Sequence, residues 1–263
     1  MQIDALFRYP VKSLRGVALD EAQVEARGFA GDRRWMVVDA HGVFLTQRTH
    51  PELARIVVET GEAGITLRTP AGAEATLPWH HEGAPEPVTV WRDEVPAIAH
   101  GPGSALVSDF LGRPARVVFQ AGRRATSRGG GVVSFADAYP LLLTTTASLR
   151  ALEVDAGIAL DMRRFRPNVV VASDEAYAED RWKALSLGAV AFEGVKGCDR
   201  CVLTTVDPET GEKGREPLRT LARTRRDAGQ VWFGLNLVPR GAGTLAVGDA
   251  VRVASLHAVP PRG

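Results

Sequence analysis

The chain has 263 residues, of which 45% are hydrophobic and 24% are charged, and its formal net charge is +1. This composition is that of a globular protein, and the near-neutral charge gives no indication of a nucleic-acid or membrane-surface partner. No stretch approaches the ~18 apolar residues that a spanning helix needs, and residues 1–7 lack the pattern of a signal peptide. We therefore expect a cytoplasmic protein that binds neither nucleic acid nor membrane.

The first hundred residues are predicted to form mostly strands, because apolar residues alternate along them and turn-forming residues separate them. A small antiparallel sheet or barrel follows from this pattern. A helix comes next, with Ser104 as its predicted N-cap and Gly112 as its predicted stop. The predicted strands are residues 3–8, 17–26, 33–38, 44–45, 54–59, 64–68 and 88–91, and the helix is 104–111.

The remainder of the chain is predicted to mix strands with two further helices. Thr145 or Thr146 is expected to cap the first of these helices. Strands outnumber helices over the whole chain, so the predicted fold is a β-rich α+β fold with barrel-like sheets. The predicted strands are 115–119, 141–143, 168–171, 189–195, 202–206, 230–237 and 249–253, and the helices are 146–153 and 216–225.

A glycine- and arginine-rich loop follows the strand at 115–119. Arg123, Arg124 and Arg128 lie there beside three consecutive glycines. Such a cluster is usually a solvated face, but basic groups beside backbone amides also attract phosphate. The aromatic residues give a weaker signal, and we expect four tryptophans to be core residues and not cofactor platforms: Trp35, Trp91, Trp182 and Trp232.

The chain has two cysteines, Cys198 and Cys201, which form a C-x-x-C motif. A redox dithiol needs this motif at a helix N-terminus, whereas the β-branched run at 202–206 favours a strand. A zinc site needs two further ligands, and no histidine has ligand spacing near the pair. Two alternatives stay open, namely one thiolate that binds a soft metal beside Arg200, and two ordinary packed cysteines.

Several motifs, in chain order, resemble those of MOSC proteins, most closely the branch of the mitochondrial amidoxime-reducing component and its bacterial relatives. They are Tyr9-Pro10-Val11-Lys12-Ser13, Gly31-Asp32-Arg33-Arg34-Trp35, Phe165-Arg166-Pro167-Asn168, the segment from Arg200 to Gly211, Glu216-Pro217-Leu218 and Phe233-Gly234. The resemblance implies a MOSC β-barrel core over residues 121–256, an N-terminal MOSC-type β subdomain over 1–120, a few helices and a tail over 257–263.

The resemblance also implies a molybdenum–molybdopterin cofactor, with Cys201 as the catalytic residue and the protein ligand of the metal. By the same resemblance, the residues that hold the cofactor are Lys12, Ser13, Arg33, Thr145, Ser148, Arg166, Asn168, Asp199 and Arg200. Guanidinium and ammonium groups suit its phosphate, and a helix N-terminus attracts anions.

Each of these residues also has an ordinary structural explanation. Lys12 can be an exposed loop lysine, Arg33 can form a surface ion pair with Asp32, and simple capping accounts for Thr145 and Ser148 nearly as well. Residue 166 precedes a proline and is therefore expected to be extended.

In the resembling branch the reaction is the reduction of N-hydroxylated compounds: amidoximes, hydroxylamines and N-hydroxylated bases. The cofactor supplies most of this chemistry. Two cysteines cannot hold an iron–sulfur cluster, so electrons are expected from a separate ferredoxin, flavodoxin or flavoprotein reductase. The alternatives are a non-catalytic cofactor carrier or sulfur-transfer module, and a small thiol-redox or metal-binding protein that uses both cysteines.

Overall fold

The computed structural model describes residues 1–262. In this part of the chain, strands alternate with three helices: α1 (Gly101–Leu111), α2 (Thr146–Ala156) and α3 (Leu218–Thr224). The strands of the first half are β1 (Gln2–Arg8), β2 (Val17–Leu19), β3 (Glu21–Glu25), β4 (Gly28–Phe29), β5 (Trp35–Asp39), β6 (Val57–Thr60), β7 (Gly64–Arg68), β8 (Glu74–Pro78), β9 (Glu86–Val90), β10 (Asp93–His100) and β11 (Ala115–Gln120).

The second half begins with two short strands, and longer ones follow. They are β12 (Arg124–Ala125), β13 (Val132–Val133), β14 (Leu141–Thr145), β15 (Val169–Ala172), β16 (Trp182–Leu187), β17 (Val190–Asp199), β18 (Arg226–Asp227), β19 (Gln230–Pro239), β20 (Gly243–Ala246) and β21 (Val251–Leu256). Short 3₁₀ helices are Pro51–Arg55, Met162–Phe165, Ala178–Arg181 and Val202–Thr205. The predicted β-rich α+β fold is confirmed.

The largest sheet has the strand order β2-β1-β15-β14-β19-β17-β16-β21. Its two ends approach each other, because Gln2 pairs with Ala250 and the amide of Ile3 donates to the carbonyl of Asp249 at 2.9 Å. The sheet therefore curls into a barrel. Apolar side chains of alternate strand positions fill its interior, including Leu6, Leu143, Leu185 and Leu235.

A second core lies under the strands of the N-terminal half. The sheet β5-β11-β10-β9 and the sheet β6-β7-β8 pack with α1 around Trp35, Leu67 and Val117, all fully buried. This arrangement agrees with the predicted antiparallel sheet or barrel. Some strands are buried on both faces: alternate residues of β5 contribute Trp35 and Val37 to this core and Met36 and Val38 to a third cluster.

Sheet pairing does not follow the predicted division at residue 120. β1 pairs with β15, β3 pairs with β20, and Phe29 belongs to the core of the large barrel. The strands β1, β3 and β4 are therefore part of the C-terminal barrel in three dimensions, whereas Val11 and Leu14 between them pack in the second core. The assignment of 1–120 and 121–256 to separate units stays a prediction. Residues of the tail also have fixed partners, as the carbonyl of Pro261 accepts from the amide of Gly197 at 3.0 Å.

Some predicted boundaries were wrong. α1 begins three residues earlier than expected, because the imidazole of His100, not the hydroxyl of Ser104, caps it by accepting from the amide of Gly103. Gly112 ends α1 in the left-handed conformation, as predicted. Sequence patterns missed β8, β10 and β16, because acidic residues, Lys183 and Pro96 interrupt the apolar alternation that identifies a strand. No helix within residues 1–262 is long and apolar enough to cross a membrane.

Candidate functional site

Eight of the ten predicted site residues line one cleft. Its volume is about 430 Å³, and we call it the cysteine cleft because both cysteines border it. The predicted residues in its wall are Lys12, Ser13, Arg33, Arg166, Asn168, Asp199, Arg200 and Cys201. They come from segments far apart in the sequence, and the barrel brings them together where β1 and β17 end and where β14 and β15 begin.

Cys201 is the N-cap residue of the 3₁₀ helix Val202–Thr205. The predicted strand at 202–206 was therefore wrong, and so was the argument that a strand follows the C-x-x-C motif. The carbonyl of Cys201 accepts from the amide and the hydroxyl of Thr204, at 3.1 and 3.0 Å, which fixes the turn. The thiol is half-buried, and the Nε of Arg48 donates to its Sγ at 3.3 Å. The sulfur of Cys201 therefore has a cationic hydrogen-bond donor in the wall of the cleft.

Arg48 also belongs to a charged cluster centred on Asp137. The carboxylate accepts from Arg48 Nη2 at 3.0 Å and from Trp91 Nε1 at 3.2 Å, and it forms an ion pair with Lys12. Desolvation by the surrounding groups of the cleft raises the pKa of Asp137, but the charges of Lys12 and Arg48 outweigh it and hold the pKa well below its usual range. Burial lowers the pKa of Lys12 to about 8, although Asp137 opposes this shift.

A second cluster lies around the buried ring of Tyr9. The guanidinium carbons of Arg33 and Arg166 lie 4.6 and 4.2 Å from its centroid. Arg33 Nη1 donates to Asp32 at 2.6 Å and to the side-chain oxygen of Asn168 at 3.0 Å. Asp32 is only 2% exposed, so this ion pair is internal and not the surface pair considered from the sequence. Burial lowers the pKa of Arg166 to about 10 and raises that of Tyr9 to about 12.

Cys198 and Arg200 interact directly in the wall of the cleft. Arg200 Nη1 donates to the Sγ of Cys198 at 2.9 Å, and its Nη2 donates to the carbonyl of Phe165 at 2.8 Å. Burial raises the pKa of Cys198, although Arg200 opposes this shift. The two cysteines thus have different cationic partners, Arg48 for Cys201 and Arg200 for Cys198. Both thiols are free.

Four of the six non-glycine residues with positive φ among residues 1–262 line the cleft. They are Ser13 (70°), Arg33 (46°), Trp91 (59°) and Arg166 (54°). The expectation that residue 166 is extended was wrong, because its amide donates to the carbonyl of Arg163 and ends a 3₁₀ helix in the left-handed conformation. Each such residue costs ~1–3 kcal/mol, and strain of this kind concentrates at functional sites.

Thr145 and Ser148 do not line the cysteine cleft. The Thr145 hydroxyl accepts from the Ser148 amide at 3.2 Å, and both hydroxyls donate to the carboxylate of Glu179, at 3.1 and 2.9 Å. Both residues are fully buried. Their side chains are therefore committed to capping α2 and to Glu179, which corrects the expectation of a cofactor contact at these positions.

Sequence reasoning missed several residues of the cleft. Arg48 and Asp137 lie outside every motif used for the resemblance, and only the fold places them beside Cys201 and Lys12. Trp91 was expected in the core, but its side chain lines the cleft and is 47% exposed. Its position after β9, in a turn of polar residues, was the available signal. Trp35, Trp182 and Trp232 are buried as predicted.

The lining of the cleft suits an anionic, soft-metal cofactor. Six cationic side chains and two carboxylates border it, and the buried Nε of Arg200 has no acceptor among the described residues. A cofactor with a phosphate and a polar pterin requires such cations and hydrogen-bond donors. The thiol of Cys201 is a good ligand for a soft metal. No group of three or more His, Cys, Asp or Glu residues that can hold a metal occurs within residues 1–262.

Two family descriptions match the chain. The MOSC N-terminal beta barrel domain matches residues 1–114, and the MOSC domain matches residues 130–252. The chain is 32% identical over 272 residues to mitochondrial amidoxime-reducing component 1 of Homo sapiens, which covers 94% of this chain and 81% of the relative. The Mus musculus protein of the same name is 33% identical, with coverage of 94% and 80%.

A third relative has a different overall organisation. The molybdenum cofactor sulfurase of Danio rerio is 31% identical over 265 residues. The match covers 90% of this chain but only 32% of the sulfurase. The similarity therefore concerns one part of a much longer protein.

Proposed function

This chain belongs to the MOSC family, and from that premise we propose that it is a molybdenum-cofactor-dependent reductase of N-hydroxylated compounds. The observation that carries this proposal is the half-buried thiol of Cys201, held beside Arg48 in a cleft with a cationic lining. The identity of about one third to amidoxime-reducing components supports it. A separate electron-transfer protein, such as a ferredoxin, flavodoxin or flavoprotein reductase, supplies the electrons.

The residues of the cleft divide into three functions. Cys201 holds the metal, and the hydrogen bond from Arg48 to its sulfur orients the side chain. Lys12, Arg33 and Arg166 neutralise the negative charge of the cofactor, with Ser13, Asn168 and Arg200 as hydrogen-bond partners. Asp199 borders the cleft beside Arg200. A bound molybdenum–molybdopterin group supplies two electrons, which with two protons convert an amidoxime or hydroxylamine into the amidine or amine and water.

Trp91 and Asp137 are exposed residues of the cleft that contact Arg48, and we propose that they bind the substrate. The Arg48 guanidinium carbon lies 4.6 Å from the centroid of the Trp91 ring, so the ring forms one side of the cleft beside Cys201. An amidine product carries positive charge near neutral pH. A carboxylate and an indole ring are both favourable neighbours for a cation.

The decisive experiment is the metal and pterin content of protein made in a host that synthesises the molybdenum cofactor. We expect molybdenum and pterin in a ratio near one per chain for the unaltered protein and for Cys198→Ala. Cys201→Ala should lose or alter the metal ligation. Absence of molybdenum and pterin from all three proteins would contradict the proposal at its foundation.

Turnover separates a reductase from a cofactor carrier. The loaded protein, reduced by a viologen, should convert an aryl amidoxime into the amidine, whereas NADH without a partner protein should support no catalysis. A carrier would bind the same cofactor and reduce nothing. Loaded protein that gives no amidine would therefore favour the carrier or sulfur-transfer alternative.

A further inference from the structure

We propose that a second cleft binds a small phosphate monoester. This cleft has a volume of about 600 Å³ and shares no lining residue with the cysteine cleft. We call it the arginine cleft, and its defining residues are Arg8, Glu25, Arg27, Arg34, Trp79 and Arg123. It lies where the β3–β4 hairpin meets the end of β11.

The charges of the arginine cleft are not balanced by its own residues. Four guanidinium groups face one carboxylate, Glu25, which already accepts from Arg34 Nη2 at 2.6 Å. Arg123 forms no ion pair within residues 1–262. Burial lowers the pKa of Arg27, and the nearby charges of Arg34 and Arg123 add to this shift while Glu25 opposes it. These cations repel one another, and a bound dianion would relieve the repulsion.

Two of the four guanidinium groups, those of Arg8 and Arg27, donate to neutral acceptors. Arg8 lies 4.8 Å from the centroid of the Trp79 ring and donates to the carbonyl of Ala30 at 3.2 Å. Arg27 donates to the Oε1 of Gln120 at 3.0 Å. A guanidinium has five N–H donors, so these bonds leave donors for a ligand. The buried Nε of Arg8 has no acceptor in the described part of the chain.

Phosphate suits this arrangement better than other small anions. Guanidinium forks bind phosphate oxygens in pairs, and a phosphate monoester carries up to two negative charges near neutral pH. A monocarboxylate would satisfy fewer donors and less charge. The volume exceeds that of one phosphate ion, so the geometry favours phosphate attached to a small organic group over the free ion. From the sequence, the loop that contains Arg123 was interpreted either as a solvated face or as a site that attracts phosphate.

The test is calorimetric titration of the full chain with glycerol 3-phosphate, inorganic phosphate and glycerol at constant ionic strength. We expect glycerol 3-phosphate to bind and glycerol not to bind. The double variant Arg27→Gln with Arg123→Gln should weaken binding at least about ten-fold, which corresponds to about 1.4 kcal/mol. A thermal melt of the double variant confirms that it folds.

Two control variants make the result specific. Arg219→Gln changes one charge on the exposed face of α3 and should leave binding unchanged. Lys12→Gln alters the cysteine cleft and should also leave it unchanged. Equal affinity for free phosphate and the ester would show that the cleft binds the phosphate group and does not recognise the organic part of the ligand. The proposal would be overturned if neither phosphate bound. It would also be overturned if the folded double variant bound as tightly as the unaltered protein, or if Lys12→Gln abolished binding.

Discussion

Arg48 connects the thiol of Cys201 to the charged cluster at Asp137, and its loss should be measurable without any cofactor. In a Cys198→Ala background, Arg48→Gln should slow alkylation of Cys201 by iodoacetamide about three- to ten-fold, because the thiolate loses its nearest cation. The control is Arg68→Gln, which removes an exposed arginine that pairs with Glu59 and Glu74. Equal alkylation rates in all three proteins would show that Arg48 does not stabilise the thiolate.

The two cysteines should also differ from each other in reactivity. Burial raises the pKa of Cys198, and Arg200 only partly offsets this effect. Both cysteines are half-buried, and Cys201 lies at the start of a 3₁₀ helix. We expect mass spectrometry to find alkylated Cys201 before alkylated Cys198 at pH 7. Faster modification of Cys198 would contradict this assignment and favour a role for both thiols.

Glu179 makes stability depend on pH. Its pKa is raised from 4.5 to about 7 by burial, against the hydrogen bonds from Ser148 and Thr145. The folded state therefore holds a proton that the unfolded state releases, so this stabilisation is complete below about pH 4.5 and is lost as pH rises through 7. Its size is about 3 kcal/mol at most.

Urea unfolding at pH 5 and pH 8 tests this linkage. The unaltered protein should lose stability between the two values, whereas Glu179→Gln should lose less, because its amide does not titrate. Parallel changes in both proteins would show that Glu179 does not carry the effect.

At the residue scale, the motif resemblance identified eight residues that line the cysteine cleft. It did not identify Arg48 and Asp137, which contact Cys201 and Lys12. Arg48 and Cys201 are 153 residues apart in the sequence, so no local pattern relates them. The expectation that Thr145 and Ser148 contact the cofactor was not met, and the reason is the opposite one. Their local pattern is a genuine helix cap, and the buried Glu179 takes the hydroxyls that a cofactor contact would have required.

Elements with strong alternation and a clear end were predictable. β7 matches its predicted bounds, and α2 is capped by Thr145, one of the two residues predicted for this position. The run at 202–206 was misleading because its β-branched residues favour a strand in isolation. Two threonine hydroxyls, of Thr204 and Thr205, instead donate to carbonyls three residues earlier and stabilise a 3₁₀ turn. These local hydrogen bonds therefore outweigh the strand preference of the β-branched side chains.

β19 contains a glycine that its neighbour strand requires. Gly234 has φ of 84°, and a Cβ there would lie 2.8 Å from the carbonyl oxygen of Leu143 in β14. Gly234→Ala should lower the free energy of unfolding by about 2–4 kcal/mol, since the strained conformation and the contact with backbone both oppose a methyl group. Denaturant titration measures this change.

Gly72 is the matched control for that substitution. Its φ of 87° is nearly the same, but a Cβ at this position would meet nothing within 4 Å. Gly72→Ala should therefore cost only the conformational part, about 1 kcal/mol. Equal losses for the two variants would show that the contact with β14 is unimportant.

At the scale of the whole molecule, the two halves of the sequence share one barrel. A fragment of residues 121–263 lacks β1, which pairs with β15, and it also lacks the core residues Ile3, Leu6 and Phe29. We expect this fragment to show poor amide dispersion in NMR spectra. Addition of a peptide of residues 1–30 should restore dispersed signals. A fragment that folds alone would show that the barrel does not need its first strands.

The β-rich α+β class was predictable because apolar residues alternate in the manner of strands along both halves of the sequence. The pairing of β1 with β15 was not, since the alternation of apolar residues shows that a strand has one buried face but does not identify its partner. The division at residue 120 followed sequence order for the same reason. Only the three-dimensional structure shows that strands of the second half pair with β1 and β3.

The position of β1 has a consequence for the order of events during synthesis. β1 is synthesised long before its partner β15 and the thiol of Cys201. Lys12 and Ser13, directly after β1, cannot face the thiol until nearly the whole polypeptide has been made. Before that point β1 can pair only with its sequence neighbour β2, so the cysteine cleft is among the last parts of the molecule to assemble.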